Sequence, residues 1–76
     1  MKVTYDAETD TLTVVFRAGP AKVSEEGRSG TIFDYDADER LVAVEILEAS
    51  TRVDDVHTVQ LQVVPRPPER APAAAE

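Results

Sequence analysis

Apolar and polar residues alternate along most of positions 1–64. In TLTVVFR, residues 11–17, Leu12, Val14 and Phe16 fall on one side of an extended backbone. Thr11, Thr13 and Arg17 fall on the other, with Val15 the exception. Period two carried by β-branched residues predicts a half-buried strand. The same pattern turns Val3 and Tyr5 inward over residues 2–6, and Phe33 and Tyr35 inward over residues 31–36. Val42, Val44 and Ile46 form the next inward set, with Ala43 and Glu45 facing out. Residues 58–64 offer Val59, Leu61 and Val63, with Gln60 and Gln62 opposite. Helix has little room. EASTRVDDV, residues 48–56, holds only Val53 and Val56 at helical spacing. That predicts at most a short helical turn near residues 49–56, capped by Ser50 or Thr51.

A shift of thirty residues lays the first strand pair over the second without gaps. Tyr5, Asp6 and Ala7 fall on Tyr35, Asp36 and Ala37, and Leu12, Val14 and Phe16 fall on Val42, Val44 and Ile46. Two β-hairpins of equal loop length and equal register follow, because a one-residue slip would turn either apolar set outward. The second loop lies in DYDADERLVAVE, whose acids at the first, third, fifth and twelfth places mimic a calcium-binding loop. Such a loop needs glycine at its sixth place and a helix on either side. Here the sixth residue is Glu39, and the flanking pattern demands strands. The stretch is therefore a turn, with Asp side chains accepting bonds from nearby backbone N–H groups. The fold class is mainly β: a small antiparallel sheet built from two similar β-hairpins plus a fifth strand. One domain covers residues 1–64, and a flexible Pro/Ala-rich C-terminal tail covers residues 65–76.

Length makes that domain marginal. A chain of 76 residues buries only about 60% of the surface that its unfolded form exposes. No cysteine is present to add a disulfide or a thiolate metal site, which fits a reducing cytoplasm. No apolar run approaches the ~20 residues that cross a bilayer, and the start MKVTYDAETD lacks the apolar core of a signal peptide. A cytoplasmic protein with no membrane contact is expected. Fifteen acidic and eight basic residues leave a net charge of −7. Such a surface repels phosphate backbones and disfavours direct nucleic-acid binding, while it suits a small basic protein partner. The tail PRPPERAPAAAE has no large apolar residue to offset its ordering entropy. Its Pro65-Arg66-Pro67-Pro68 loosely resembles the ligands of proline-binding grooves.

The residues that could carry chemistry do not converge. His57 is the single histidine, expected on the surface before the last strand. Ser50 and Asp54 are near it only in sequence. Glu25, Glu26 and Arg28 belong to SEEGRSG, a polar connection made flexible by Gly27 and Gly30, without the pattern of a phosphate-binding loop. Tyr5 and Tyr35 repeat as core residues with hydroxyls at the rim. No catalytic, cofactor-binding or metal-binding residue is singled out, no cofactor is expected, and the chain is not expected to be an enzyme. The alternative is small-ligand or calcium binding by the acidic loops at residues 6–10 and 34–38.

Each hairpin presents an apolar face that needs a cover, and the chain has no amphipathic helix long enough to supply one. Ile32, Leu41 and Leu47 add apolar surface on the other side. The sheet curls on itself, a second copy packs against it, or both. A homodimer with isologous contact is the expectation.

MKVTYDAETDTLTVVF and GTIFDYDADERLVAVEILEAS together resemble the bacterial family known as domain of unknown function 2283. The resemblance covers roughly residues 1–52. Its more specific block runs from Tyr35 and Asp36 through Leu41 and Val42 to Val44-Glu45-Ile46-Leu47 and Ala49-Ser50. It implies an uncharacterised small β-rich bacterial cytoplasmic protein with no assigned activity, and an antitoxin-like pairing with a small neighbouring protein. Two positions depart from the family pattern, Glu39 and Ala43, where glycine is common. Asp38 is then the candidate for the left-handed residue of the turn.

Overall fold

The computed structural model describes residues 1–68. Five strands, β1 (Lys2–Asp6), β2 (Thr11–Val15), β3 (Val23–Glu26), β4 (Thr31–Tyr35) and β5 (Leu41–Leu47), form one antiparallel sheet in the order β1-β2-β5-β4-β3. The mainly β class holds, as do both hairpins, β1–β2 and β4–β5. A 3₁₀ turn at Ala49–Thr51 lies inside the span expected for helix. Neither expected hydroxyl caps it. Thr51 Oγ1 instead donates to the Glu48 carbonyl at 2.8 Å, and Ser50 Oγ reaches Asp10.

The fifth strand is not the one expected. Residues 58–64 pair with no strand among the described residues, and the fifth strand is β3, which overlaps the segment read as a polar connection. The β3–β4 turn explains it. Gly27 N–H donates to the Thr31 carbonyl at 2.9 Å, and Thr31 N–H to the Arg28 carbonyl at 2.9 Å. Gly30 closes the turn at φ 82°, a left-handed conformation that costs glycine nothing. Gly27 has a second reason to lack a side chain: a Cβ there would lie 2.6 Å from Cε2 of Phe33.

The two repeated hairpins also differ. Asp6 pairs with Thr11, leaving residues 7–10 as the first loop. In the second, Asp36 N–H donates to the Arg40 carbonyl at 2.9 Å, so only residues 37–39 form the loop. The residue saved in the turn reappears in the strand. Asp34 pairs with Ala43 but Tyr35 with Leu41, a β-bulge that leaves Val42 over. Val42 is one of three buried apolar residues among those described, with Ala43 and Ala49, and its carbonyl accepts from Phe16 N–H at 2.7 Å. Equal sequence spacing thus hides unequal loops. The left-handed residue is Glu39 itself, at φ 63°, and not Asp38.

Candidate functional site

The register places the apolar set on one face. Val3, Val14, Val44 and Phe33 lie side by side across β1, β2, β5 and β4, with Tyr5, Leu12 and Ile46 in the adjacent row. None of these seven is buried. Phe16, just past β2, is 44% exposed. Val23 pairs with Tyr35 at the β3 edge, and with Glu25, Asp36 and Glu39 they line a shallow cleft of about 400 Å³. A sheet face of this kind stabilises the fold only to the extent that water leaves it. In the single chain part of that stabilisation is unrealised, because all seven stay partly exposed while, among the described residues, the buried apolar ones are Val42, Ala43 and Ala49.

The opposite face is mixed. Thr4, Thr13, Glu45, Ile32 and Glu26 form one row, and Lys2, Val15, Ala43, Asp34 and Ser24 the next. Asp34 is 6% exposed, the one buried polar residue among those described. Its central strand, the small Ala43 beside it and a 2.5 Å bond accepted from Ser24 Oγ account for that. Glu45 stands two residues along the neighbouring strand from Ala43, diagonal to Asp34 on the same face. A hydrogen bond shared with Asp34, then burial, then the Asp34 charge push the Glu45 carboxyl above its ordinary value. Alternation had assigned both acids to solvent, and only the packing of β3 on β4 brings Ser24 to Asp34.

Asp10, in the left-handed conformation at φ 52°, ties the end of the sheet to the chain that leaves it. Its Oδ1 accepts from the Tyr5 hydroxyl at 2.7 Å and from Ser50 N–H at 3.0 Å, while Oδ2 accepts from Ser50 Oγ at 2.7 Å. Its carbonyl accepts from Ala49 N–H at 2.9 Å. The Ser50 hydroxyl and then the Tyr5 hydroxyl hold the Asp10 carboxyl below the usual range. The tie is local and directs the following segment past Tyr5, whose ring meets His57 edge-on at 6.1 Å between centroids.

Asp36 and Asp6 direct their carboxylates to their own loops. Asp36 Oδ1 accepts from the N–H groups of Asp38 and Arg40, both at 2.9 Å, and Oδ2 accepts from Arg40 Nε at 3.0 Å. Those bonds, the Arg40 backbone first, lower the Asp36 carboxyl. Asp6 accepts from Glu8 N–H at 2.9 Å. No group of three or more metal-capable side chains is gathered among the described residues. His57 sits on the surface beside Asp55, 3.6 Å from it, and Ser50 turns to Asp10 instead. Tyr5 and Tyr35 do lie in the sheet, each half-buried.

Past His57 the described chain carries no regular structure. Val59, Leu61, Val63 and Val64 are 65%, 74%, 76% and 79% exposed. Residues 65–68 carry no regular structure, and residues 69–76 of the expected tail lie outside the described residues. No helix among the described residues is long and apolar enough to cross a membrane. No curated protein and no solved structure matches the chain significantly. One family model does, over residues 2–50, the span of all five strands and the start of the 3₁₀ turn. The chain belongs to that family, described as protein of unknown function (DUF2283).

Proposed function

We propose that this chain is a homo-oligomeric protein-interaction module whose apolar sheet face docks on a second copy of itself. The supporting observation is that face: seven large apolar residues in two adjacent rows across four strands, none of them buried. Contiguous apolar patches on a small domain mark interaction sites, whereas single exposed apolar residues do not. Self-association of one face is met by a two-fold axis, which needs no second complementary surface.

The net charge of −7 favours a small basic protein as a further partner of the dimer, in an antitoxin-like pairing. Co-expression with the product of an adjacent gene, and copurification at stoichiometric yield, tests that part. Recovery of this chain alone removes it.

Thermal melting at about 1 and about 100 μM tests the dimer, because coupling to association makes the midpoint depend on concentration. A hundredfold change is worth about 2.7 kcal/mol per dimer, and the unfolding entropy of two such domains converts this to a rise on the order of 10 °C. A midpoint unchanged across that range contradicts the reading.

A further inference from the structure

We propose that residues 58–64 are an exchange arm, which leaves its own sheet and adds as a sixth strand along β1 of a second copy. The inference rests on the homo-oligomeric reading and names how the two copies are held. The arm has every property of a strand except a partner. Val59, Leu61 and Val63 alternate with Gln60 and Gln62, yet no described strand of its own chain pairs with it. Its apolar side chains are 65–79% exposed. The radius of gyration, 16.8 Å, exceeds the about 11 Å of a compact chain of this length. Alternating apolar residues held in water gain nothing until a sheet edge receives them.

Two edges are free, and their chemistry separates them. β3 carries VSEE, with Glu25 in the same row as Phe33 and Val44, so an arm there would set an apolar side chain beside a carboxylate. β1 carries KVTYD, with Val3 and Tyr5 on the apolar face and Lys2, Thr4 and Asp6 on the other. An arm along β1 extends both faces in kind, Leu61 and its apolar neighbours on one and the glutamines on the other. The arm leaves beside its own β1, where the His57 and Tyr5 rings meet edge-on at 6.1 Å. The connector is residues 52–57, between the 3₁₀ turn and the arm; once His57 leaves Tyr5, six extended residues reach about 20 Å, enough to cross the ~10 Å between two packed sheets.

Area gives the arm its role. Five strands spaced by ~4.8 Å and five residues long make a face of about 24 by 17 Å, or roughly 800–1,000 Å² for two copies. Stable interfaces bury about 1,200–2,000 Å². The sheet faces alone fall short, and two arms of about 200 Å² or more each bring the total into that range.

The test uses the full chain. Isotope-labelled and unlabelled protein are mixed, and NOEs between them are recorded, together with sedimentation of the wild type and of Leu61→Gln. Leu61 is 74% exposed in the single chain, so the substitution leaves the fold intact, as the amide spectrum will verify. The expected result is intermolecular NOEs from the Val59, Leu61 and Val63 methyls to Val3 and Tyr5, and a dissociation constant raised at least about 100-fold in Leu61→Gln. A dimer whose arm shows only intramolecular NOEs, or whose Leu61→Gln variant associates as tightly as wild type, overturns the arm and leaves the sheet-face dimer standing. Mass that climbs with concentration without a plateau overturns reciprocal exchange, since an arm passed on to a third copy builds open chains. A monomeric wild type overturns arm and dimer together.

Discussion

Val44→Thr separates a face that is merely part of the fold from one that is an interface. Val44 occupies the middle strand, with Val14 on one side and Phe33 on the other. Threonine keeps the shape and the β-branching, so the strand itself is little disturbed. In the single chain Val44 is partly exposed and a hydroxyl there can turn to water. Against a second copy it meets only apolar side chains, and an unpaired hydroxyl buried in this way costs about 1–3 kcal/mol. The two-fold axis presents the residue twice, so the dimer loses about 2–6 kcal/mol. At 1.4 kcal/mol per decade that raises the dissociation constant at least about 30-fold.

Sedimentation velocity over a concentration series reads that constant directly, and circular dichroism of the dilute sample shows whether the sheet persists. Weakened association with an unchanged spectrum is the expected pair of results. An unchanged dissociation constant would show that Val44 faces water in the dimer as well. Loss of the β spectrum at every concentration would show that the residue serves the single chain's own core.

Three further substitutions probe the parts that hold the face in place. Glu39→Gly relieves a left-handed backbone at φ 63° and is expected to raise stability by about 0.5–1 kcal/mol, or about 2–8 °C in a thermal melt. Gly27→Ala drives a methyl to within 2.6 Å of the Phe33 ring and is expected to cost about 1–3 kcal/mol in urea unfolding, a loss reduced when Phe33 is also changed to Leu. Glu45→Gln addresses the carboxyl pair with Asp34. A carboxyl raised in the folded state contributes stability below its unfolded value, near 4.5, that is lost as pH rises through the folded value. Gln should therefore stabilise the fold at pH 7–8 by less than about 1 kcal/mol given solvent screening, seen as a higher melting temperature, with the advantage vanishing below about pH 4. An advantage independent of pH contradicts the pairing.

Four of the five strands were legible because each carries an apolar stripe of period two. The expected segments at residues 2–6 and 31–36 coincide with β1 and β4 to within a residue. β3 carried no such stripe: its VSEE is exposed throughout and becomes a strand only because the Gly27–Gly30 turn lays it on β4. Residues 58–64 show the converse. Alternation reports which side of a strand is oily, and says nothing about which chain supplies the ladder. The bulge at Val42 was invisible for a related reason, since a residue moved from turn to strand leaves the sequence spacing unchanged. Asp34 was assigned to water by parity alone, whereas its burial depends on Ser24, ten residues away and brought near by the unforeseen strand. The apolar face itself was read correctly from residues such as Val14, Val44 and Phe33, and that face supports the functional reading.

Sedimentation equilibrium of the wild-type chain at micromolar concentration weighs the central claim without any substitution. The chain has a mass of 8.3 kDa, so two copies give 2 × 8.3 = 16.6 kDa. A mass that reaches 16.6 kDa and holds there as concentration rises is the predicted result. A well-folded species that stays at 8.3 kDa throughout would contradict it.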